Sequence, residues 1–154
     1  MALKVFLSYS THDLVLASRT KMLLEQSGAE VFLAEYSVAP GENLINAIVN
    51  NIKNCDLFIL LWSEHSRASE WVQREIGMAR GADKAMLPIL LQDGLSLPGF
   101  VSELKYLDFY KDPNGALLRL QSTVLQLSQK KDRDEILALL GVGVVVGLLI
   151  GSKK

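Results

Sequence analysis

Apolar runs of strand length alternate with longer segments of helical period along most of this 154-residue chain. The pattern predicts strands over residues 3–9, 30–33, 57–62, 86–91 and, more weakly, 105–109. It predicts helices over residues 13–26, 44–52, 69–80 and 115–129. Strands that alternate with helices in this way form a parallel sheet with helices on both faces. The sequence therefore predicts an α/β domain with a doubly wound, five-stranded parallel sheet and flanking helices.

The C-terminal part of the chain follows a different pattern. Residues 1–130 form the predicted domain, and residues 131–154 form a charged hinge followed by an apolar tail. No side chain in residues 136–150 is charged or polar, and as a helix this run would span roughly 22 Å, against ~30 Å for a hydrocarbon core. Gly143 and Gly147 are four apart, a spacing that lets membrane helices approach closely. The tail is interpreted either as a membrane anchor or as a docked, self-associating helix.

Charge and cysteine usage narrow the class of protein. The formal net charge is −1, so there is no excess of Lys and Arg to neutralise phosphates, and nucleic acid is not an expected partner. Cys55 is the sole cysteine, which excludes an intramolecular disulfide and fits a reducing compartment. The N-terminal residues lack the apolar core and cleavage site of a signal peptide, so we expect a cytoplasmic domain.

Polar and aromatic side chains follow the ends of three predicted strands. Ser8, Tyr9 and Ser10 follow the first strand, the polar segment 36–43 follows the second, and residues 63–66 follow the third. In a doubly wound sheet, the loops after neighbouring strands converge on one crevice. We therefore expect a ligand site at the carboxyl edge of the sheet.

A carboxylate and an aromatic ring are predicted beside this crevice. Trp71 and Glu75 are four residues apart, so they share one face of the predicted helix. The sequence has no G-x-G-x-x-G, no Walker A motif and no Cys/His cluster with metal spacing, so neither a metal nor a bound cofactor is expected. The two histidines, His12 and His65, are expected in exposed loops. One acid with hydroxyls and stacking aromatics best supports cleavage at a sugar carbon, through an oxocarbenium-like state that a carboxylate stabilises.

Simpler structural roles compete with this chemistry. Glu75 could be a solvated helix carboxylate paired with Arg74 or Lys84. Trp71 could be a core residue that faces the sheet. Ser8 could serve only to cap the first helix.

Three segments together resemble the Toll/interleukin-receptor (TIR) domain family. The first box of that family is similar to the segment Phe6-Leu7-Ser8-Tyr9-Ser10 together with Asp13. Residues 37–44 resemble the loop that joins its second strand to its second helix. Residues 55–63, followed by the S-x-W-V-x-x-E-x-x-x-A pattern at residues 69–79, are similar to its third strand and third helix in bacterial and archaeal enzymatic members.

The resemblance covers about residues 3–129 and implies a flavodoxin-like fold. Enzymatic TIR domains cleave the nicotinamide–ribose bond of NAD+, giving nicotinamide plus ADP-ribose or a cyclic isomer. NAD+ is then the substrate rather than a cofactor. The resemblance also implies a role in immune or antiphage signalling and activation by self-association, through the TIR surfaces and the tail.

The same resemblance implies specific site residues. Glu75 matches the catalytic glutamate that engages the ribose next to nicotinamide, and Trp71 matches an aromatic residue that stacks on the ligand. The segment 36–43 matches the one that gates the pocket and joins protomers. The substrate-binding residues expected in this way are Phe6, Ser8, Tyr9, Trp71, Tyr36 and Asn43.

Two other functions stay open from the sequence. Many TIR domains are non-enzymatic interaction modules, and the polar loop around Pro40 and Gly41 is suited to such contacts. Nucleoside 2-deoxyribosyltransferases share a related scaffold and a glutamate nucleophile, so an enzyme of that kind is the other alternative.

Overall fold

The computed structural model describes residues 2–33, 41, 43–129 and 136. Among these residues, no helix combines the length and the apolar character needed to cross a membrane. The apolar run beyond Ile136 and most of the segment 36–43, including Tyr36, lie outside the described residues. The expectations for a tail anchor and for a gating loop therefore stay predictions.

Five parallel strands form one sheet in the order β2-β1-β3-β4-β5. This flavodoxin-like order confirms the predicted fold class. The strands are β1 (Lys4–Ser8), β2 (Glu30–Leu33), β3 (Leu57–Trp62), β4 (Met86–Leu90) and β5 (Leu107–Asp108). The helices are α1 (Leu14–Gln26), α2 (Leu44–Asn54), α3 (Glu64–Arg67), α4 (Glu70–Gly81) and α5 (Pro113–Ser128).

Local capping accounts for the helix boundaries that the sequence pattern missed. The pattern did not predict α3, a single turn that begins with a reciprocal capping box. The Ser63 hydroxyl accepts from the Ser66 N–H at 3.2 Å, and the Ser66 hydroxyl accepts from the Ser63 N–H at 2.6 Å. Helix α5 begins two residues earlier than predicted, because Asp112 caps it and Pro113 suits its first turn.

The core consists of one apolar layer on each face of the sheet. Strand β3 is buried along its whole length and contributes alternate side chains to the two layers. One layer joins the sheet to α1 and α5, and the other joins it to α2 and α4. Because both faces are covered, the loops at the carboxyl ends of the strands are where the sheet can meet a ligand.

Cys55 lies in the second layer, at the end of α2, and is only 5% exposed. Burial raises the pKa of its thiol to about 11, although the nearby Lys84 ammonium lowers it in part. The same ammonium donates to the carbonyl oxygens of Lys53 and Cys55 and so satisfies the end of α2. Cys55 therefore acts as a small apolar core residue.

The raised pKa predicts an unreactive thiol in the native protein. At pH 8, Cys55 should react with a thiol reagent about 100-fold more slowly in the folded protein than in urea, because the thiolate is the reacting form. The rate of absorbance change with an aromatic disulfide measures this. Equal rates in the folded and unfolded protein would contradict the buried, protonated thiol.

Candidate active site at the carboxyl edge of the sheet

Helix α4 places a carboxylate among apolar side chains. The helix starts at Ser69, whose hydroxyl accepts from the Val72 N–H at 3.2 Å. The buried residues that follow have helical spacing, and they are Val72, Glu75, Ile76 and Ala79. Glu75 thus lies in the stripe that faces the sheet, and its side chain is only 3% exposed.

Ser8, the last residue of β1, donates a hydrogen bond to Glu75. The distance from Ser8 Oγ to Glu75 Oε1 is 2.6 Å, and Ser8 is fully buried. This length is typical of a hydroxyl bound to an ionised carboxylate. Lys84 is bound at the end of α2 instead. The interpretation of Glu75 as a solvated carboxylate therefore does not fit its burial.

A cleft of about 310 Å³ opens beside Glu75. Trp71 is half-buried on its wall, and the Arg74 guanidinium lies 5.5 Å from the centre of the indole ring. The cleft wall combines four parts of the chain: the segment after β1, the start of α2, the segment around α3, and α4. The described lining residues are Tyr9, Ser10, Thr11, His12, Leu44, Ile48, Glu64, His65, Ala68, Ser69, Trp71 and Glu75.

Hydrogen bonds between the loops hold the rim of the cleft together. The Ser63 hydroxyl donates to Asp13 Oδ2 at 2.6 Å and joins the segment after β3 to the segment after β1. The Glu64 N–H donates to Gln92 Oε1 at 2.7 Å and adds the segment after β4. The positions of the lining residues are thus linked to three neighbouring strands.

Two histidines form a stacked pair on this rim. The rings of His12 and His65 are nearly parallel, with an angle of 9° between them and 4.4 Å between their centres. Both side chains are exposed, as the sequence predicted, but His65 belongs to α3 rather than to a loop. Sequence reasoning missed the pairing because the two residues are far apart in the chain.

The structure places Phe6 in the core rather than on the cleft wall. Its ring is fully buried, stacked on Phe58 at 5.3 Å and tilted against Phe32 at 5.4 Å. It is not among the described lining residues. Phe6 therefore packs within the core in this structure, and its expected contact with a ligand stays a prediction.

Asn43 also has a local structural role. Its side-chain oxygen accepts from the Asn46 N–H at 2.9 Å and caps α2, and Asn43 is not among the described lining residues. The helix it starts places Leu44 and Ile48 on the cleft wall. These two residues are four apart in the sequence, and this spacing indicates that they lie on the same face of the helix.

The chemistry of the cleft is that of a carboxylate, hydroxyls, imidazoles and an aromatic ring. Within the part of the chain that the structure describes, no three His, Cys, Asp or Glu side chains come together in a way that could hold a metal ion. Tyr9, Trp71 and Glu75 line the cleft, and Ser8 hydrogen-bonds to Glu75. Their roles in catalysis and substrate binding stay predictions. An acid held in place beside a stacking surface can stabilise positive charge that develops on a bound sugar.

Comparison with known proteins agrees with this architecture. The TIR domain family matches residues 5–121, and a comparison with curated proteins found no match. The TIR domain of the Toll-related receptor TRR-2 from Hydra magnipapillata is 22% identical, with a TM-score of 0.66 over 79% of this chain and 97% of that one. Since the match to the family spans most of the chain, this protein belongs to the TIR domain family.

Two enzymes share the fold. The CMP N-glycosidase BcmB of Clostridium botulinum is 23% identical, with a TM-score of 0.60 over 77% of this chain and 98% of that one. The 2-deoxyribosyltransferase of Bacillus psychrosaccharolyticus is 15% identical, with a TM-score of 0.57 over 71% of this chain and 89% of that one. At these identities the likeness concerns the fold alone.

The hydrogen bond between Ser8 and Glu75 predicts coupled stability effects. Ser8→Ala should lower the free energy of unfolding by about 1.5–3 kcal/mol, because it removes a donor from a buried carboxylate. In a Glu75→Gln background, the same substitution should cost only about 1 kcal/mol. Urea denaturation of the four proteins in this double-mutant cycle measures the difference.

Ser122→Ala is the matched control, since Ser122 is exposed on α5. It should change the free energy of unfolding by less than about 0.5 kcal/mol. Equal costs of Ser8→Ala in the two backgrounds would show that the hydroxyl does not stabilise the carboxylate.

Proposed function

We propose that this protein cleaves the nicotinamide–ribose bond of NAD+, releasing nicotinamide and either ADP-ribose or a cyclic isomer. The observation that carries the proposal is the buried carboxylate of Glu75, held by Ser8 at 2.6 Å, on the wall of a cleft that also presents Trp71. The proposal draws further support from membership of the TIR domain family.

The proposed reaction needs one carboxylate. The bond between the ribose C1′ and the nicotinamide nitrogen breaks, and its electron pair stays on that nitrogen. The pyridinium becomes neutral nicotinamide, so the leaving group needs no general acid. Positive charge then develops at C1′, where the Glu75 carboxylate stabilises it. A water oxygen adds to C1′ and loses a proton to give ADP-ribose, or an adenine nitrogen adds instead to give a cyclic product.

The cleft is suited to the nicotinamide end of the substrate. Its volume of about 310 Å³ is at the lower end of the ~300–1,000 Å³ that ligand pockets occupy. Such a volume accommodates a group the size of a nucleoside. The half-buried indole of Trp71 supplies a flat surface on which an aromatic ring can stack.

We also propose that self-association raises this activity, as the resemblance to immune-signalling TIR domains implies. Support comes from large apolar side chains on the outer surfaces of α1 and α5. Val15 and Met22 on α1 are 78% and 63% exposed, and Leu118 and Leu125 on α5 are 64% and 50% exposed. Exposed apolar side chains of this size suit contacts between protein molecules.

Glu75→Gln tests the catalytic assignment. Purified protein at high concentration should release nicotinamide from NAD+, and the Glu75→Gln variant should lose this activity on the order of 10²–10³-fold, because a neutral amide stabilises the cationic sugar poorly. Glu70→Gln is the matched control, since Glu70 lies on the same helix with its side chain 89% exposed. Its rate should stay within about 2-fold of the wild-type rate. Chromatography of the products measures all three rates.

Three outcomes would contradict the proposal in different ways. An unchanged rate in Glu75→Gln would remove Glu75 from the mechanism. If NAD+ stays intact in every sample while the protein forms oligomers at the same protein concentration, a non-enzymatic interaction module is favoured. Base exchange on a deoxynucleoside without NAD+ cleavage would favour a 2-deoxyribosyltransferase-like enzyme.

Trp71→Ala tests the stacking surface. Loss of one aromatic stacking contact costs about 1–3 kcal/mol, so KM for NAD+ should rise by roughly 5- to 150-fold. The Trp71→Phe variant should keep most of the affinity, because it retains an aromatic face. Initial rates over a range of NAD+ concentrations separate KM from kcat. A loss of the same size in both variants would show that Trp71 acts through packing rather than stacking.

A further inference from the structure

The cleft has an uneven distribution of charge. Two carboxylates, Glu64 and Glu75, are among the described lining residues, and none of those residues is Lys or Arg. A substrate that carries a phosphate next to its ribose would meet a negative environment unless another group supplies positive charge.

The stacked histidines are described lining residues whose ring N–H groups can donate hydrogen bonds to such a phosphate. Parallel rings with centres 4.4 Å apart bring the ring nitrogens of both residues into one small region, which is close enough for one anion to accept N–H groups from both rings. The Ser10 hydroxyl lies 3.3 Å from His12 Nδ1 and orients that ring, which leaves Nε2 for another partner. Neither His12 Nε2 nor the His65 ring hydrogen-bonds to another residue that the structure describes.

We propose that His12 and His65 form a phosphate subsite for the group attached to the ribose that faces Glu75. The proposal rests on the proposed function for the position of the ribose. A bound phosphate can accept one hydrogen bond from each ring, and two such bonds fix its position at the rim. Substrate specificity then comes from this pair, while Glu75 acts on the glycosidic bond.

Several charged groups lie near the pair. The Arg74 guanidinium lies 5.5 Å from the centre of the Trp71 ring, but it also pairs with Glu70 at 3.8 Å and is not among the described lining residues. Asp13 accepts a hydrogen bond from Ser63, and Glu64 adds negative charge on α3. Arg67 is also on α3, but it is exposed and is not among the described lining residues. Arg67 therefore supplies a control for a general effect of positive charge near the rim.

The experiment compares two substrates with the same nicotinamide–ribose bond. Nicotinamide mononucleotide carries a phosphate on the ribose, and nicotinamide riboside does not. His12→Gln and His65→Gln should each lower kcat/KM for the mononucleotide about 10- to 100-fold, mainly through KM. Turnover of the riboside should stay within about 2-fold, because it makes no contact with the pair. Arg67→Gln should leave the kcat/KM values for both substrates unchanged.

Two outcomes of the rate measurements overturn the subsite. Equal losses on both substrates would mean that the histidines support the cleft rather than bind phosphate. Unchanged turnover of the mononucleotide would mean that the pair does not contact it. Melting temperatures of the variants should match the wild-type value, since both side chains are exposed.

A binding measurement separates this proposal from the proposed function. If the wild-type protein does not cleave NAD+, the proposed function fails. In that case, or if NAD+ is cleaved but neither smaller molecule is, calorimetry with the mononucleotide and the riboside tests the subsite alone. Tighter binding of the mononucleotide than of the riboside, lost in His12→Gln and accompanied by shifts of the imidazole ¹⁵N resonances, would support the subsite. Equal affinities, or no binding, would overturn it.

Discussion

Glu75 lies in the buried stripe of α4, where the other buried side chains are apolar. An ionised group in such a place is unfavourable unless it accepts hydrogen bonds. The Ser8 hydroxyl supplies one at 2.6 Å from the last residue of β1. The geometry of the cleft therefore depends on the relative position of β1 and α4. A shift of either element by one residue would leave the carboxylate buried without this donor.

The doubly wound sheet explains why the site forms where it does. Strands β1 and β3 are neighbours, so the segments that follow them meet, and the hydrogen bond from Ser63 to Asp13 fixes their separation. The capping box at Ser63 then turns the chain back towards α4, where Ser69 starts the helix that carries Trp71 and Glu75. One long-range hydrogen bond and two local helix caps thus shape the cleft at the carboxyl edge of the sheet.

The proposed roles in the cleft are divided between separate structural elements. The buried pair of Ser8 and Glu75 is rigid because both side chains are held in the core. The stacked rings of His12 and His65 lie on the exposed rim. Rim residues can be exchanged without disturbing the core, so related domains can keep one glycosidic chemistry and change the substrate that it serves.

The sequence by itself determined the order of the five strands and of four of the five helices, and strands β2 and β3 have the bounds that their apolar runs predicted. It also determined that Trp71 and Glu75 share a face, because helical period is a local property. Only the tertiary structure decided that Phe6 packs in the core and that His12 stacks on His65. It also decided that Ser8 reaches Glu75. Such contacts depend on which strands are neighbours and on how closely their loops approach. The spacing of residues along the chain does not predict these distances across the sheet.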